Sequence, residues 1–240
     1  MLHIRGQWYS HGVGPRSYGQ ACSVARALDV LGERWTLLIV RELLLGPKRF
    51  KDLLIALPAM GTNRLGDRLR TLQSAGVIAK RTLPPPAGVK VYELTESGQR
   101  LRPAIYCLGA WGSQLPPQEG VDESTARAEL IALGLAGASP PELTAELAET
   151  YEFHVAHECF HVNATDGVVT ARSGPAPVAA DLRVECDMRT FLALVAGELS
   201  PSEAIRRGRA RVRGEPALLT RAFNVLSFRQ AASKFRLIPA

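Results

Sequence analysis

One stretch of the chain constrains its fold more than any other, because it joins a helical apolar stripe to a glycine that can end a helix. Residues 61–76 read GTNRLGDRLRTLQSAG. Leu65, Leu69 and Leu72 recur at the three- and four-residue spacing of one helix face. Gly76 suits the left-handed conformation that follows many helices. We therefore expect a helix with one face packed on a core and a polar face turned to solvent.

The segments on either side of this stretch predict the rest of a small domain. Residues 48–57 form a second short amphipathic pattern, which Pro58 ends. Residues 77–83 and 89–94 alternate and are separated by PPPAG, which predicts a hairpin with a stiff tip. Two short helices joined by a turn and followed by a hairpin form a winged helix-turn-helix, whose second helix enters the major groove of DNA.

The charge distribution agrees with a nucleic-acid partner for this half of the chain. Residues 1–120 hold 16 Lys plus Arg against 8 Asp plus Glu, whereas residues 121–240 hold 13 against 15. The net charges are +8 and −2, which account for the overall +6. A basic surface binds phosphate by releasing counterions, although an ordinary solvated basic face has the same composition.

A long collinear pattern resembles a known family. The segments CSVARALDVLGERWTLLIVRELLLGPKRFKDLLIALPAMGTNRLGDRLRTLQSAGVIAKR, VYELTESGQRL and AIYCLGAWG occur in this order over residues 18–113. They resemble the HxlR-type family of bacterial winged-helix transcription regulators. The resemblance implies a homodimer that binds an inverted-repeat operator, often in response to electrophiles or oxidants, and we expect repression rather than activation. Gly61 stands where many relatives carry a Ser cap, which moves the capping role to Thr62 or to the backbone.

The candidate DNA contacts lie on the outer face of the central helix and on the hairpin. Short polar side chains at a helix N-terminus can reach phosphates or base edges, and an arginine fork fits guanine. Basic side chains on the preceding helix and on the wing are expected to meet the backbone. The predicted DNA-binding residues are Lys51, Thr62, Asn63, Arg64, Arg70, Arg81 and Lys90. Arg68 borders the leucine stripe, so we expect it to form an internal ion pair instead.

A helix after the wing carries an apolar stripe of its own. Thr95 can cap it, and Leu101, Ile105, Leu108 and Trp111 follow at helical spacing. This stripe has little left to pack on within a small domain. Two interpretations stay open, namely a dimer surface shared with the first helices and packing against a second domain.

Cys22 is the candidate redox sensor among the four cysteines. It opens a helix, where unpaired N–H groups favour a thiolate, and Arg26 follows one turn later. In several members of the family that this chain resembles, a cysteine at this N-terminal position is the sensor. The alternative is a small core residue. Cys107 is expected to serve packing, and the scattered cysteines contain no CxxC pair.

The C-terminal half predicts a smaller α+β domain. We expect an arm at 1–19, a winged-helix domain at 20–115, a Pro-rich linker at 116–124 and this second domain at 125–240. It contains alternating residues around an Asp-Gly hairpin turn, then a strand, two helices, a strand and a last helix.

The second half resembles, more loosely, the sterol-carrier-protein-type fold. The resemblance rests on the hairpin dipeptide Asp166-Gly167 and on ADLRVECDMRTFLALVAGELSPSEAIRRGRARVRGEPALLTRAFNVL, in particular Gly197, the Ser200-Pro201 pair, Ala204, Gly208 and Gly214. It implies a hydrophobic small-molecule effector in an apolar tunnel, while a filled core that aids dimerisation stays the alternative.

A run of potential ligands lies in the first part of this domain. His157, Cys159 and His161 alternate as metal ligands on one strand face could. The flanking apolar residues switch parity, however, which indicates a bulge near residues 156–158 and a solvated polar face. We therefore expect no metal.

Other function classes receive little support from the sequence. No phosphate loop, dinucleotide fingerprint, G-x-S-x-G or H-E-x-x-H motif is present, so we expect neither an enzyme nor a cofactor. No long apolar run or secretory leader is visible, so we expect a cytoplasmic protein without a membrane partner. The alternative function is a lipid or small-molecule carrier whose winged helix binds protein.

Overall fold

A computed structural model describes residues 17–116, 120 and 125–227. The predicted N-terminal arm falls mostly outside these residues, as does most of the predicted linker. Within the described part, the N-terminal half consists of α1 (Ser23–Leu31), α2 (Thr36–Leu44), α3 (Phe50–Ala56), α4 (Thr62–Ser74), β1 (Ile78–Thr82), β2 (Lys90–Leu94), α5 (Glu96–Gln99) and α6 (Arg102–Gly112). None of the described helices combines the length and the apolar character that a membrane crossing requires.

The predicted winged helix-turn-helix is confirmed. Helices α3 and α4 are the helix pair, and β1 and β2 form an antiparallel hairpin in which Thr82 pairs with Lys90 next to the tip. Gly76 has a φ of +69° after the last turn of α4, so a side chain there would strain the backbone. Thr95 caps α5 by accepting a hydrogen bond from the N–H of Gly98 at 3.1 Å.

The C-terminal half is a mixed α+β unit built on one sheet. It comprises α7 (Ala128–Ala138), β3 (Ala148–Val155), β4 (Glu158–Thr165), β5 (Val168–Ser173), β6 (Leu182–Cys186), α8 (Met188–Ala196), α9 (Pro201–Arg206), β7 (Ala210–Arg213) and α10 (Pro216–Val225). The strand order is β5-β4-β3-β6-β7, and only the β3–β6 pair is parallel. The α+β fold class expected from the sequence is therefore confirmed.

Two hairpins, rather than one, make the first part of this sheet. Asp166 and Gly167 form the predicted turn between β4 and β5, with φ values of +50° and +79°. A second two-residue turn at Ala156 and His157 joins β3 to β4, since Val155 pairs with Glu158. The predicted bulge near 156–158 is wrong. The parity switch arises because the chain reverses there, and each strand keeps its own alternation.

The apolar face of the sheet packs against helices α8 and α10 through aromatic rings. Phe153 and Phe160 stack with their centroids 5.2 Å apart. Phe191 of α8 and Phe223 of α10 meet Phe153 edge to face, at 6.1 Å and 5.9 Å. These rings occupy the described space between sheet and helices, where the sterol-carrier resemblance predicts an apolar tunnel. The tunnel stays a prediction.

Helix α7 lies between the two halves and contacts both. It packs along β5 and β4 on one side and against α6 on the other. A Cβ placed on Gly137 would lie only 2.2 Å from the ring of Tyr106, so the glycine allows the close approach of α6. Buried apolar side chains of the two halves belong to one connected cluster. Helix α6 thus contacts the second half through Tyr106, while Leu108 and Trp111 of its stripe are exposed, so both interpretations of the stripe stay open.

Candidate nucleic-acid interface

Helix α4 has the two faces that its sequence predicts. Leu65, Leu69 and Leu72 are 0%, 2% and 0% exposed, so the stripe is anchored in the core. A 13-residue helix is about 20 Å long, and its diameter suits the major groove of B-DNA. The outer face of α4 is therefore held rigidly by the core and is available to a partner.

The N-terminus of α4 offers uncapped backbone donors. Gly61 is the N-cap residue, and no described side chain accepts a hydrogen bond from the first turn. Thr62, Asn63 and Arg64 are all exposed there. The free N–H groups and the positive end of the helix dipole make this turn attractive to a phosphate oxygen.

The remaining arginines of α4 differ in their partners. Arg70 is exposed and forms an ion pair with Asp67, one turn earlier on the same helix. Arg68 is 22% exposed and lies 3.8 Å from the carboxylate of Glu33 between α1 and α2; Glu33 is 61% exposed, so the predicted ion pair is present but lies at the surface. A DNA contact by Arg70 would require it to exchange Asp67 for a phosphate or a base. Such surface pairs cost little to break.

The wing presents two basic side chains near its tip. Arg81 donates two hydrogen bonds to the carboxylate of Glu93, both 2.9 Å long. This hydrogen-bonded charge raises the pKa of Arg81. Lys90 is exposed at the start of β2, and within the described part of the chain no hydrogen bond or ion pair engages its side chain.

Lys51 is exposed on α3, as expected for a contact with the DNA backbone. Lys48 was expected to begin the same amphipathic helix. It lies outside that helix, because α3 begins only at Phe50. Lys48 instead pairs with Tyr92 of the wing and donates a hydrogen bond to Ser173 at 3.0 Å. All seven predicted contact residues are thus exposed, and they lie on α3, on α4 and on the wing.

An exposed apolar surface lies on helices α1 and α6. Val24 and Leu28 of α1 are 64% and 41% exposed, and Leu108 and Trp111 of α6 are 48% and 55% exposed. Cys107 of α6 is also exposed in the single chain, and its expected packing role in a dimer stays a prediction. Large exposed apolar side chains on these two helices suit an interface with another chain.

Cys22 is the N-cap residue of α1 and is exposed. The backbone N–H groups of Ala25 and Val24 at the start of α1 lower the pKa of its thiol, although neither forms a cap hydrogen bond with the sulfur. The expected contribution of Arg26 is not among the causes. Burial instead raises the pKa of Cys186, to about 12, and that of Cys159. Cys22 is therefore an accessible thiol whose surroundings favour the reactive thiolate.

A partly buried ion network connects the winged helix to the C-terminal half. Glu42 of α2 is fully buried. Arg127 donates a hydrogen bond of 3.0 Å to each of its two carboxylate oxygens, and Arg41 donates one of 2.7 Å. Arg127 also pairs with Glu129 of α7. Burial lowers the pKa of Arg127, but the charges of Glu42 and Glu129 outweigh it and raise the pKa overall.

The network continues to the sheet and to the start of the helix pair. Ser173, at the end of β5, donates a hydrogen bond of 2.5 Å to Glu129 and accepts one from Lys48. Its backbone N–H donates to the carbonyl of Leu45 at 2.8 Å. Sequence reasoning missed this network. The available signal was Glu42, a charged residue inside the apolar run TLLIVRELLL.

Comparisons with known proteins agree with this geometry. The family model described as HxlR-like helix-turn-helix matches residues 30–119. The HTH-type transcriptional regulator YodB of Bacillus subtilis is 34% identical over 88 residues, which cover 37% of this chain and 79% of YodB. The uncharacterized HTH-type transcriptional regulator sll1512 of Synechocystis sp. is 33% identical over 104 residues, covering 43% of this chain and 77% of that protein.

Solved structures and a second family model extend the comparison. The reduced form of B. subtilis YodB covers 43% of this chain and 100% of that chain, at 32% identity and a TM-score of 0.36. The model described as Alkyl sulfatase C-terminal matches residues 141–239, so the second half has a resemblance of its own. The likeness to sterol carriers stays a prediction.

The chain has a winged helix with a basic outer helix face, and its relatives are named as transcription regulators rather than as enzymes. It belongs to the HxlR family of helix-turn-helix transcriptional regulators.

Proposed function

We propose that this protein is a homodimeric repressor that binds an inverted-repeat operator through α4 and the wing. The observation that carries the proposal is the arrangement of α4, whose leucine stripe is buried while Thr62, Asn63, Arg64 and Arg70 are exposed on the opposite side. A rigid helix with exposed donors is the element that reads base edges in this class of protein. Lys51, Arg81 and Lys90 add backbone contacts beside it.

The proposed dimer rests on the exposed apolar surface of α1 and α6. A second copy that covered Val24, Leu28, Leu108 and Trp111 would remove these side chains from water. A two-fold dimer would place its two α4 helices about 34–36 Å apart, in successive major grooves. Trp111→Glu is expected to shift the protein toward monomer in sedimentation experiments and to weaken operator binding in parallel.

The direct test is footprinting of genomic DNA with the purified full chain, followed by titration of the protected fragment. We expect an inverted repeat, and an affinity that falls steeply with added salt. Arg64→Ala should relax sequence preference at one position in each half-site at a cost of about 1–3 kcal/mol. Lys90→Ala should weaken binding evenly and lower the salt slope by about one per half-site.

Arg206→Ala is the matched control, because Arg206 is an exposed arginine in the C-terminal half. It should leave affinity and salt slope unchanged. If the protein does not associate with DNA even at low salt, the proposal is wrong, and the carrier function with a protein-binding winged helix becomes the better account. Reporter expression from the protected promoter, with and without the protein, tests repression.

We further propose that Cys22 is the sensor through which oxidants or electrophiles change operator affinity. Its exposure and the N–H groups that lower its pKa support this role. Treatment with an oxidant or a quinone should reduce operator affinity of the original protein and leave Cys22→Ser unaffected. An equal response of both proteins would eliminate Cys22 as the sensor. Adding candidate lipids in the same assay tests the hydrophobic effector.

A further inference from the structure

The polar face of the C-terminal sheet gathers three different metal-binding groups. Nε2 of His154 lies 2.7 Å from Oε1 of Glu152 and 3.9 Å from Sγ of Cys159. The three ligand atoms lie within 4.8 Å of one another. The two histidines that the sequence pattern grouped with Cys159 as potential ligands lie elsewhere. His157 is in the β3–β4 turn, and His161 contacts the carbonyl of Gly174.

The hairpin between β3 and β4 explains why these groups meet. Glu152 and His154 are two residues apart on β3, so both point to the polar face. Cys159 is the cross-strand partner of His154, and such partners have Cβ atoms about 5 Å apart. The two-residue turn fixes this register, which places a carboxylate, an imidazole and a thiol around one point.

We propose that Glu152, His154 and Cys159 bind a divalent cation of the zinc type, with water as the fourth ligand. A thiolate, an imidazole and a carboxylate together suit Zn²⁺ and do not suit Mg²⁺ or Ca²⁺, which prefer oxygen ligands. Ligand bonds of about 2.0–2.3 Å place tetrahedral ligand atoms about 3.3–3.6 Å apart. The separations of 2.7 Å and 3.9 Å from Nε2 of His154 lie within about half an ångström of these values, and the carboxylate and the thiol are at most 4.8 Å apart.

The surroundings of the cluster hold the Glu152 carboxylate in place and leave His154 accessible to solvent. Oε2 of Glu152 accepts a hydrogen bond of 2.9 Å from the N–H of Ala176, and Arg183 contacts Oε1 at 2.8 Å. These partners orient the buried carboxylate, as outer hydrogen bonds do in metal sites. Arg183 is 41% exposed, so its guanidinium has room to move into solvent when a cation takes its place on Oε1. His154 is 37% exposed, which leaves a path for the ion and for a water ligand.

Titration of the metal-free, reduced full chain with Co²⁺ alone tests the site. We expect saturation at one equivalent per chain, with a thiolate-to-cobalt band in the near ultraviolet and the visible bands of tetrahedral cobalt. Zn²⁺ should displace the cobalt and abolish both bands. Cys159→Ser should abolish the near-ultraviolet band, and His154→Gln should weaken binding at least about tenfold.

Two matched variants control for ligands elsewhere. His157→Gln changes a histidine in the same hairpin and Cys107→Ser changes an exposed thiol, and both should bind Co²⁺ as the original protein does. Circular dichroism checks that each variant is folded. If Cys159→Ser does not fold, His154→Gln decides, because its side chain is partly exposed. The absence of a one-equivalent thiolate band in the original protein, its survival in Cys159→Ser, or unchanged affinity in His154→Gln would overturn the proposal.

Discussion

Replacing Arg127 by methionine removes one guanidinium from the junction between the two halves while keeping a similar apolar stem. Arg127 donates hydrogen bonds to both oxygens of Glu42, whose side chain is 0% exposed. Breaking one partner of a buried ion pair typically costs about 3–5 kcal/mol, because the other charge stays buried. Glu42 keeps Arg41 at 2.7 Å, and the Arg127 side chain is itself 24% exposed. We therefore expect a smaller loss, of about 2–3 kcal/mol.

Urea unfolding followed by far-ultraviolet circular dichroism and by tryptophan fluorescence measures this loss. Glu42→Gln removes the charge from the other side, and the double variant Glu42→Gln with Arg127→Met completes a double-mutant cycle. We expect the double variant to be more stable than the sum of the single losses predicts, by at least about 1 kcal/mol. If the network couples the unfolding of the two halves, the transitions that circular dichroism and fluorescence report should coincide in the original protein and separate in Arg127→Met.

The exposed pair Arg100–Glu96 is the control for this experiment. Its atoms are 2.6 Å apart, but the side chains are 76% and 86% exposed. Arg100→Met should therefore change stability by less than about 0.5 kcal/mol. Two results would refute the reasoning that burial makes the Arg127–Glu42 pair important. One is a loss of stability below about 0.5 kcal/mol in Arg127→Met, and the other is a double variant whose loss equals the sum of the two single losses.

Three further outcomes follow from the structure. Gly137→Ala on α7 should destabilise the protein by about 1–2 kcal/mol in the same unfolding assay, whereas Gly134→Ala, which meets no atom within 4 Å, should stabilise it by up to about 1 kcal/mol. Equal effects would contradict the close packing of α6 on α7. In alkylation near neutral pH followed by peptide mass analysis, Cys22 should react before Cys186, since a lowered pKa increases the thiolate fraction and a raised one decreases it. Trp111→Glu should leave the free energy of unfolding of the monomer in urea unchanged within about 0.5 kcal/mol, and a larger loss would place this side chain in the core rather than at an interface.

The winged-helix half could be predicted in detail because its signals are local. The spacing of Leu65, Leu69 and Leu72 fixes which face of α4 is buried, and Gly76 marks where the helix ends. The exposure of Asn63 and Arg64 follows from the same periodicity. Local signals also located most of the strands and helices of the second half.

The prediction of a bulge failed because one local pattern fits two different arrangements of the chain. The change of parity around His157 fits either a bulge in one strand or a turn between two strands, and only strand pairing decides between them. Cys107 is exposed in the single chain, and its packing depends on whether a second copy covers α6. Periodicity describes the face of an element and does not name its neighbour.

The sequence by itself determined most of the helices and strands, the basic half of the molecule and the face of α4 that is free. Only the tertiary structure decided that Glu42 meets Arg127, 85 residues away, and that Lys48 meets Ser173, 125 residues away. It also decided that a carboxylate, an imidazole and a thiol converge on one sheet. The physical reason is that hydrogen bonds and ion pairs depend on distances of a few ångströms, which are set by the packing of the whole chain.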